Sequence, residues 1–162
     1  MRLVFKLFLL FLAATLLHWA CMSLVGGAGM SLNIMLVFSL AVCAYVRPEY
    51  GYPLAFICGL FLDFFGVKLF GNNALIFTLC AAAIYGMEKR LDFDAVLPQM
   101  ICVAGLSLAA VLGNMLLLKV FASVVVWGGW WPFISGWGLN ILLAPVIFGT
   151  VRRLIGKDSA AR

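Results

Sequence analysis

The sequence predicts an all-α integral membrane protein with six transmembrane helices in one domain. Three observations lead to this prediction: the composition, the length of the apolar segments and the positions of the basic residues. Of the 162 residues, 66% are hydrophobic and 10% are charged, whereas an average soluble domain is about 45–50% apolar and about 25% charged. A soluble core of this size cannot hide so much apolar surface, so we expect the solvent to be lipid.

The apolar segments set the number of spans, because a helix needs about 20 apolar residues to cross the bilayer hydrocarbon. The six predicted spans are 3–25, 29–46, 52–65, 74–87, 95–118 and 133–151. The first is longer than the apolar core of a signal peptide, about 7–15 residues, so we expect it to be retained. The third and fourth are short, and a re-entrant hairpin is the alternative to two full crossings.

The basic residues predict the orientation, since cytoplasmic loops carry the excess of Lys and Arg. With both termini in the cytoplasm, nine of the eleven basic residues fall on the cytoplasmic side: Arg2, Lys6, Arg47, Lys89, Arg90, Arg152, Arg153, Lys157 and Arg162. Lys68 and Lys119 fall outside, and the five tryptophans map near the outer interface. We therefore interpret the net charge of +5 as a topology signal and expect no nucleic-acid partner.

Four polar side chains interrupt the apolar spans at similar depth in the outer half of the membrane: His18, Asp63, Asn114 and Asn140. An aspartate at a helix centre costs about 2.5–3.5 kcal/mol on insertion scales. One interpretation is an outward crevice or docking site lined by these residues. The other is a structural contact, in which Asp63 accepts from Asn114, Asn140 or a loop amide, or pairs with Lys68. The asparagines of "GNNAL" also suit the N-cap of the fourth span.

Small residues recur every four positions in three spans. The third span has Ala55 and Gly59 before Asp63, the fifth has Gly105, Ala109 and Gly113, and the sixth has Gly136 and Ala144 around Asn140. Such stripes let helix backbones approach closely in lipid. We expect these faces to pack against one another or against a partner helix.

The sequence offers little for catalysis. "GLSLA" lacks the final glycine of a G-x-S-x-G nucleophile elbow, and a single histidine with scattered cysteines makes no zinc site. We expect the five cysteines to be free thiols and the protein to have no enzymatic activity and no cofactor.

The central segment resembles the bacterial rod shape-determining MreD family. The resemblance rests on the loop "RPEYGYPLAF", the G-L-x-x-D stretch "GLFLD", the glycine-led turn "LFGNNAL" and the basic loop "YGMEKRL". It covers residues 47–91 together with length and span number, and it is weak over the last 60 residues.

The resemblance implies a location, a fold and a set of partners. The location is the bacterial inner membrane, and the fold is like the substrate-binding (S) component of energy-coupling-factor transporters. The partners are an MreC-like bitopic protein and, through it, the MreB filament, a RodA-like glycosyltransferase and a penicillin-binding transpeptidase. It implies a scaffold for peptidoglycan synthesis and rod cell shape, in contact with membrane lipids. The alternative is a transporter subunit that binds a small molecule between Asp63, Asn114 and Asn140.

Overall fold

The computed structural model describes residues 2–25, 32–66, 69–87, 93–122 and 129–155. These ranges contain six helices and no strand. The helices are α1 (Arg2–Val25), α2 (Ile34–Tyr45), α3 (Pro48–Phe65), α4 (Asn72–Met87), α5 (Val96–Ala122) and α6 (Trp130–Ile155). Several residues used for the orientation lie outside the described ranges: Lys68, Lys89, Arg90, Trp127, Lys157 and Arg162, as do the first three residues of the second predicted span.

Three of these helices are long and apolar enough to cross a membrane: Leu3–Leu24 within α1, Val96–Phe121 within α5 and the whole of α6. Large apolar side chains are exposed along them, for example Leu16, Leu116 and Leu142 at 63–67% exposure. Because such surface is unfavourable in water and favourable in lipid, the chain is an all-α membrane protein.

The short helix α2 is the centre of the bundle. Every residue from Ile34 to Ala44 is buried, and α2 packs against each of the other five helices. Its 12 residues extend about 18 Å at 1.5 Å per residue, which is less than the hydrocarbon thickness. A helix that contacts protein on all sides presents no backbone to lipid, so its shortness is tolerated.

The third helix begins earlier than the predicted span 52–65. It starts at Pro48, inside the segment "RPEYGYP" that the sequence predicted as a loop. Proline suits the first helical turn because the N–H it lacks has no partner there in any case. The N–H groups of Tyr50 and Gly51 both donate to Arg47 O at 3.0 Å, which closes this first turn.

The helices alternate in direction, so the bundle has two ends. At the Asp63 end, α1, α3 and α5 finish and α2, α4 and α6 begin. At the Arg152 end, the Arg152 guanidinium pairs with Asp94 at 3.1 Å, and Lys6 donates to Leu154 O at 3.5 Å. These two contacts hold the N-terminus of α1, the start of α5 and the C-terminus of α6 together.

Candidate functional site at the Asp63 end

Asp63 accepts hydrogen bonds from the first turn of the neighbouring helix α4. Its side chain is 5% exposed. Oδ1 accepts from the backbone N–H of Asn73 at 3.0 Å and from Asn73 Nδ2 at 2.9 Å, and Oδ2 accepts from the N–H of Ala74 at 3.0 Å. The carboxylate of one helix therefore caps the N-terminus of the next.

This contact provides hydrogen-bond partners both for the first N–H groups of α4 and for the buried carboxylate. The first N–H groups of any helix have no partner within it, and in lipid no water replaces that partner. The positive end of the α4 dipole also favours a negative group at this place. Asp63 thus supplies a charge-assisted cap, and the start of α4 supplies the hydrogen bonds that a carboxylate loses when it is buried away from water.

Gly59 makes this approach possible from one turn earlier on the same face of α3. A Cβ placed on Gly59 would lie 2.5 Å from Ala74 Cα and 2.5 Å from Asn73 O, far inside van der Waals contact. The α4 backbone therefore rests directly on the Gly59 backbone. Between the two helices, Gly71 has φ +88°, a left-handed conformation that favours glycine and allows the chain to enter α4.

Asn114 of α5 meets the same helix start from the other side. Its Oδ1 accepts a hydrogen bond from Asn72 Nδ2, and its own Nδ2 donates to Ala110 O at 3.0 Å. Asn72, the first residue of α4, is 2% exposed. The start of α4 is thus held between Asp63 of α3 and Asn114 of α5.

Asn140 of α6 performs a similar task for α2. Its Oδ1 accepts from the backbone N–H of Asn33 at 3.1 Å. The side chain of Asn33 in turn accepts from the N–H of Leu36 at 3.1 Å and caps α2. Sequence reasoning missed Asn33, although an asparagine directly before an apolar run is an N-cap signal.

These three contacts lie where the short helices begin. Asn114 is eight residues from the end of α5, and Asn140 is ten residues from the start of α6. The long helices therefore extend about 12 Å and 15 Å past this level, at 1.5 Å per residue. Asp63, Asn114 and Asn140 thus each contact the start of a short helix, and these contacts are separate from one another.

His18 stands apart from this arrangement. It is 9% exposed, and its Nδ1 is buried without a hydrogen-bond partner among the described residues. It lines a cleft between α1 and α3. His18 is thus placed differently from the three residues that bind helix starts.

The three small-residue stripes have different surroundings. Ala55 and Gly59 are buried against neighbouring helices, and Gly136 and Ala144 are buried on the Asn140 face of α6. On α5, Gly105 and Ala109 are exposed, and a Cβ on Gly105 would meet nothing within 4 Å. A Cβ on Gly113 would lie 3.6 Å from Ile76. Most of the α5 stripe thus faces away from the protein.

A second polar cluster, which sequence reasoning missed, lies at the Arg152 end. The hydroxyl of Tyr45 donates to Phe93 O at 2.8 Å, and Gln99 Nε2 donates to the same carbonyl at 2.7 Å. The hydroxyl of Tyr85 donates to Val46 O at 3.0 Å. These bonds satisfy carbonyl groups beside the ends of α2 and the start of α5, as the cluster at the other end satisfies N–H groups.

Candidate metal ligands do not assemble in the part of the chain that the structure describes. No three His, Cys, Asp or Glu side chains come together there. All five cysteines are free thiols, and Cys43, Cys58, Cys80 and Cys102 are buried. They pack as small apolar side chains.

Comparison with protein-family models, with curated proteins and with solved structures found no match to this chain.

Proposed function

We propose that this chain is a non-catalytic membrane scaffold of the bacterial cell-elongation complex, similar in role to MreD. In this proposal it crosses the inner membrane six times with both termini in the cytoplasm. It binds an MreC-like bitopic protein and through it supports peptidoglycan synthesis and rod cell shape.

The observation that carries the proposal is the contact between the two most characteristic stretches of the resemblance. "GLFLD" supplies Gly59 and Asp63, and "LFGNNAL" supplies the turn and the helix start on which they act. Residues that are separate in the sequence thus form one structural unit, a capped α3–α4 hairpin. This supports the interpretation that the resemblance reflects a shared fold element and not shared composition.

The polar residues also have structural tasks, which favours a scaffold over a transporter subunit. The transporter alternative requires a pocket between Asp63, Asn114 and Asn140. In the structure these side chains bind the starts of α4 and α2 instead. Both carboxylate oxygens of Asp63 and the amide oxygens of Asn114 and Asn140 are already engaged within the protein, so they are not free for a substrate.

The exposed stripe on α5 is the surface that we propose for the partner helix. Gly105 and Ala109 leave a shallow depression, flanked by Ile101, Leu108 and Leu112, which are 38–61% exposed. Close backbone approach over small residues is a common basis of helix association in lipid. A single-span protein such as MreC presents one helix that could occupy this depression.

Co-purification of the tagged chain from a rod-shaped bacterium, with partners identified by mass spectrometry, tests the proposal. We expect an MreC-like protein together with a RodA-like glycosyltransferase and a penicillin-binding transpeptidase. Recovery of an energy-coupling-factor ATPase without any wall-synthesis partner would contradict it.

A matched pair of variants tests the α5 surface within the same experiment. Gly105→Leu fills the depression, whereas Gly138→Leu adds the same side chain at an exposed glycine of α6 that also has open space around it. We expect Gly105→Leu to lower partner recovery about tenfold, equivalent to about 1.4 kcal/mol. Gly138→Leu should leave recovery unchanged, and equal recovery with both variants would exclude the α5 stripe.

A further inference from the structure

The cleft between α1 and α3 is the feature that the proposed scaffold role leaves unexplained. It has a volume of about 210 Å³. Its walls come from two helices: His18, Trp19 and Met22 of α1, and Phe61, Leu62 and Phe65 of α3. An apolar cavity of about 150 Å³ already accepts benzene, so this cleft has room for a segment of a hydrocarbon chain.

The aromatic walls of the cleft are braced against one another. Trp19 and Phe65 meet edge to face with ring centroids 5.3 Å apart, and Phe61 and Phe65 are 4.9 Å apart. Phe11 supports Phe61 from behind at 5.7 Å. These ring contacts link the α1 and α3 walls of the cleft.

The mouth of the cleft faces the side of the protein that contacts lipid. Trp19 is 52% exposed and Phe65 is 58% exposed, and the neighbouring Leu16 and Phe64 are exposed as well. In a bilayer these side chains touch acyl chains, so the molecules with direct access to the cleft are lipids.

His18 gives the cleft one polar group. Its Nδ1 is enclosed by protein and lacks a partner within the described part of the chain. A neutral imidazole carries one N–H donor and one acceptor nitrogen. With Nδ1 enclosed, Nε2 is the nitrogen left for a ligand in the cleft, and its N–H can donate to an acceptor such as an ester carbonyl.

The depth of the site and its lining limit the kinds of chemical group that could pair with His18. His18 is seven residues, about 10 Å, from the end of α1, which lies below the level of lipid head groups if that end is at the interface. No charged side chain is present among the described residues that line the cleft. Among these residues a phosphate finds no counter-charge, whereas a neutral ester group at the top of an acyl chain suits both the depth and the chemistry.

We propose that this cleft binds one diacylglycerol-based membrane lipid. One acyl chain lies between the aromatic walls, and an ester carbonyl accepts a hydrogen bond from the His18 imidazole. The inference does not depend on the scaffold role, because it rests on the cleft and on the unpartnered imidazole alone.

Photo-crosslinking in nanodiscs tests the proposal. The probe is a phosphatidylethanolamine with a diazirine near the carbonyl end of one acyl chain, and the crosslinked residues are mapped by mass spectrometry. We expect crosslinks concentrated on α1 and α3 around the cleft. Crosslinks spread evenly over the lipid-facing surfaces of α1, α5 and α6 would overturn it.

Three variants sharpen this test. Leu62→Trp fills the cleft, His18→Phe keeps an aromatic ring but removes its hydrogen-bonding nitrogens, and Leu142→Trp adds bulk to the exposed apolar surface of α6. We expect cleft crosslinking to fall about tenfold with Leu62→Trp, equivalent to about 1.4 kcal/mol, and severalfold with His18→Phe. Leu142→Trp should leave it unchanged. Unchanged cleft crosslinking in both cleft variants would refute lipid binding.

Thermal unfolding provides a readout that does not depend on crosslinking. A ligand that binds the folded state raises Tm with ligand concentration. In detergent, added phosphatidylethanolamine should raise Tm of the wild type and of Leu142→Trp more than that of His18→Phe. If Leu62→Trp does not fold, Met22→Phe replaces it as the filling variant. An equal lipid-dependent rise in all folded variants would contradict a specific site.

Discussion

At Gly59 the backbone of α4 approaches α3 so closely that a single methyl group decides whether the two helices can pack. The nearest α4 atoms would lie 2.5 Å from an added Cβ, and they belong to the backbone, which cannot rotate away. Asp63, one turn later, receives the N–H groups that this close approach brings within reach. Gly59 and Asp63 are four residues apart in "GLFLD" and lie on the same face of α3. Both are explained by the close approach of the α4 start to that face.

Gly59→Ala should destabilise the protein by at least about 1–3 kcal/mol, the usual cost of overpacking a buried site. Gly105→Ala is the matched control, because the same change at an exposed helical glycine with open space should be neutral or stabilising by up to about 1 kcal/mol. Unfolding in detergent micelles, followed by circular dichroism, measures both variants. Similar stabilities for the two would contradict the close α3–α4 contact.

At the scale of the helices, the difference in helix length explains why polar side chains are needed inside the bundle. The helices α2, α3 and α4 have 12, 18 and 16 residues, whereas α1, α5 and α6 have 24, 27 and 26. A short helix inside a bundle of longer ones has its ends surrounded by protein or lipid. The free N–H groups at those ends need partners from neighbouring helices, and Asp63, Asn114 and Asn140 lie where such groups are.

The α4 cap gives a prediction for Asp63. Asp63→Ala leaves the N–H groups of Asn73 and Ala74 without their acceptor, so we expect a loss of about 2–4 kcal/mol of unfolding free energy. Hydrogen exchange, measured by mass spectrometry on peptides from the start of α4, should become faster in the variant.

Glu49→Ala is the control for the removal of a carboxylate, since Glu49 is exposed in the first turn of α3. Its effect should stay within about 0.5 kcal/mol. If Asp63→Ala were as stable as Glu49→Ala, the cap would have no energetic importance.

The sequence predicts the helices because each is an apolar segment between charged, glycine or proline residues. The structure has a helix overlapping each of the six predicted spans, but α2 begins later than predicted, at Ile34, and α3 begins earlier, at Pro48. The prolines of "RPEYGYP" indicate a loop, although Pro48 suits a helix start. The sequence also indicates that Asp63, Asn114 and Asn140 lie toward the same end of the bundle, where α2 and α4 begin. It does not indicate their partners, since a one-dimensional pattern does not give the direction in which a side chain points or the helix that ends beside it.

His18 and Gln99 show that position along the chain does not determine what surrounds a side chain. The sequence places His18 at a depth similar to that of the asparagines, but its side chain lies on the face of α1 that lines the cleft. The sequence gives no reason to expect a buried Gln99, because this residue lies near the predicted membrane boundary. In the structure it is 4% exposed, and its side chain donates to Phe93 O. Only the packing of α2, α5 and the segment before α5 makes that position an interior one.

At the scale of the whole molecule, the distribution of charge agrees with the geometry of the bundle. The first residues of α1 and the last residues of α6 meet at the Arg152 end, where Lys6 donates to Leu154 O. The last turn of α6 carries Arg152 and Arg153, which also favour the negative end of the helix dipole. Exposed aromatic side chains, Trp130 and Trp131, stand at the opposite end.

The difference between a basic Arg152 end and a tryptophan-rich Asp63 end predicts which end of the bundle is cytoplasmic. Single cysteines at two exposed positions, Arg47→Cys near the Arg152 end and Trp131→Cys at the Asp63 end, can be labelled in spheroplasts with a membrane-impermeant maleimide. Because basic residues are retained in the cytoplasm and tryptophan prefers the interface, Trp131→Cys should react in intact spheroplasts and Arg47→Cys only after permeabilisation. The native cysteines all lie within helices, so the unmodified chain should remain unlabelled. The reverse pattern would invert the orientation, and it would place the His18 cleft and the α4 cap in the cytoplasmic leaflet.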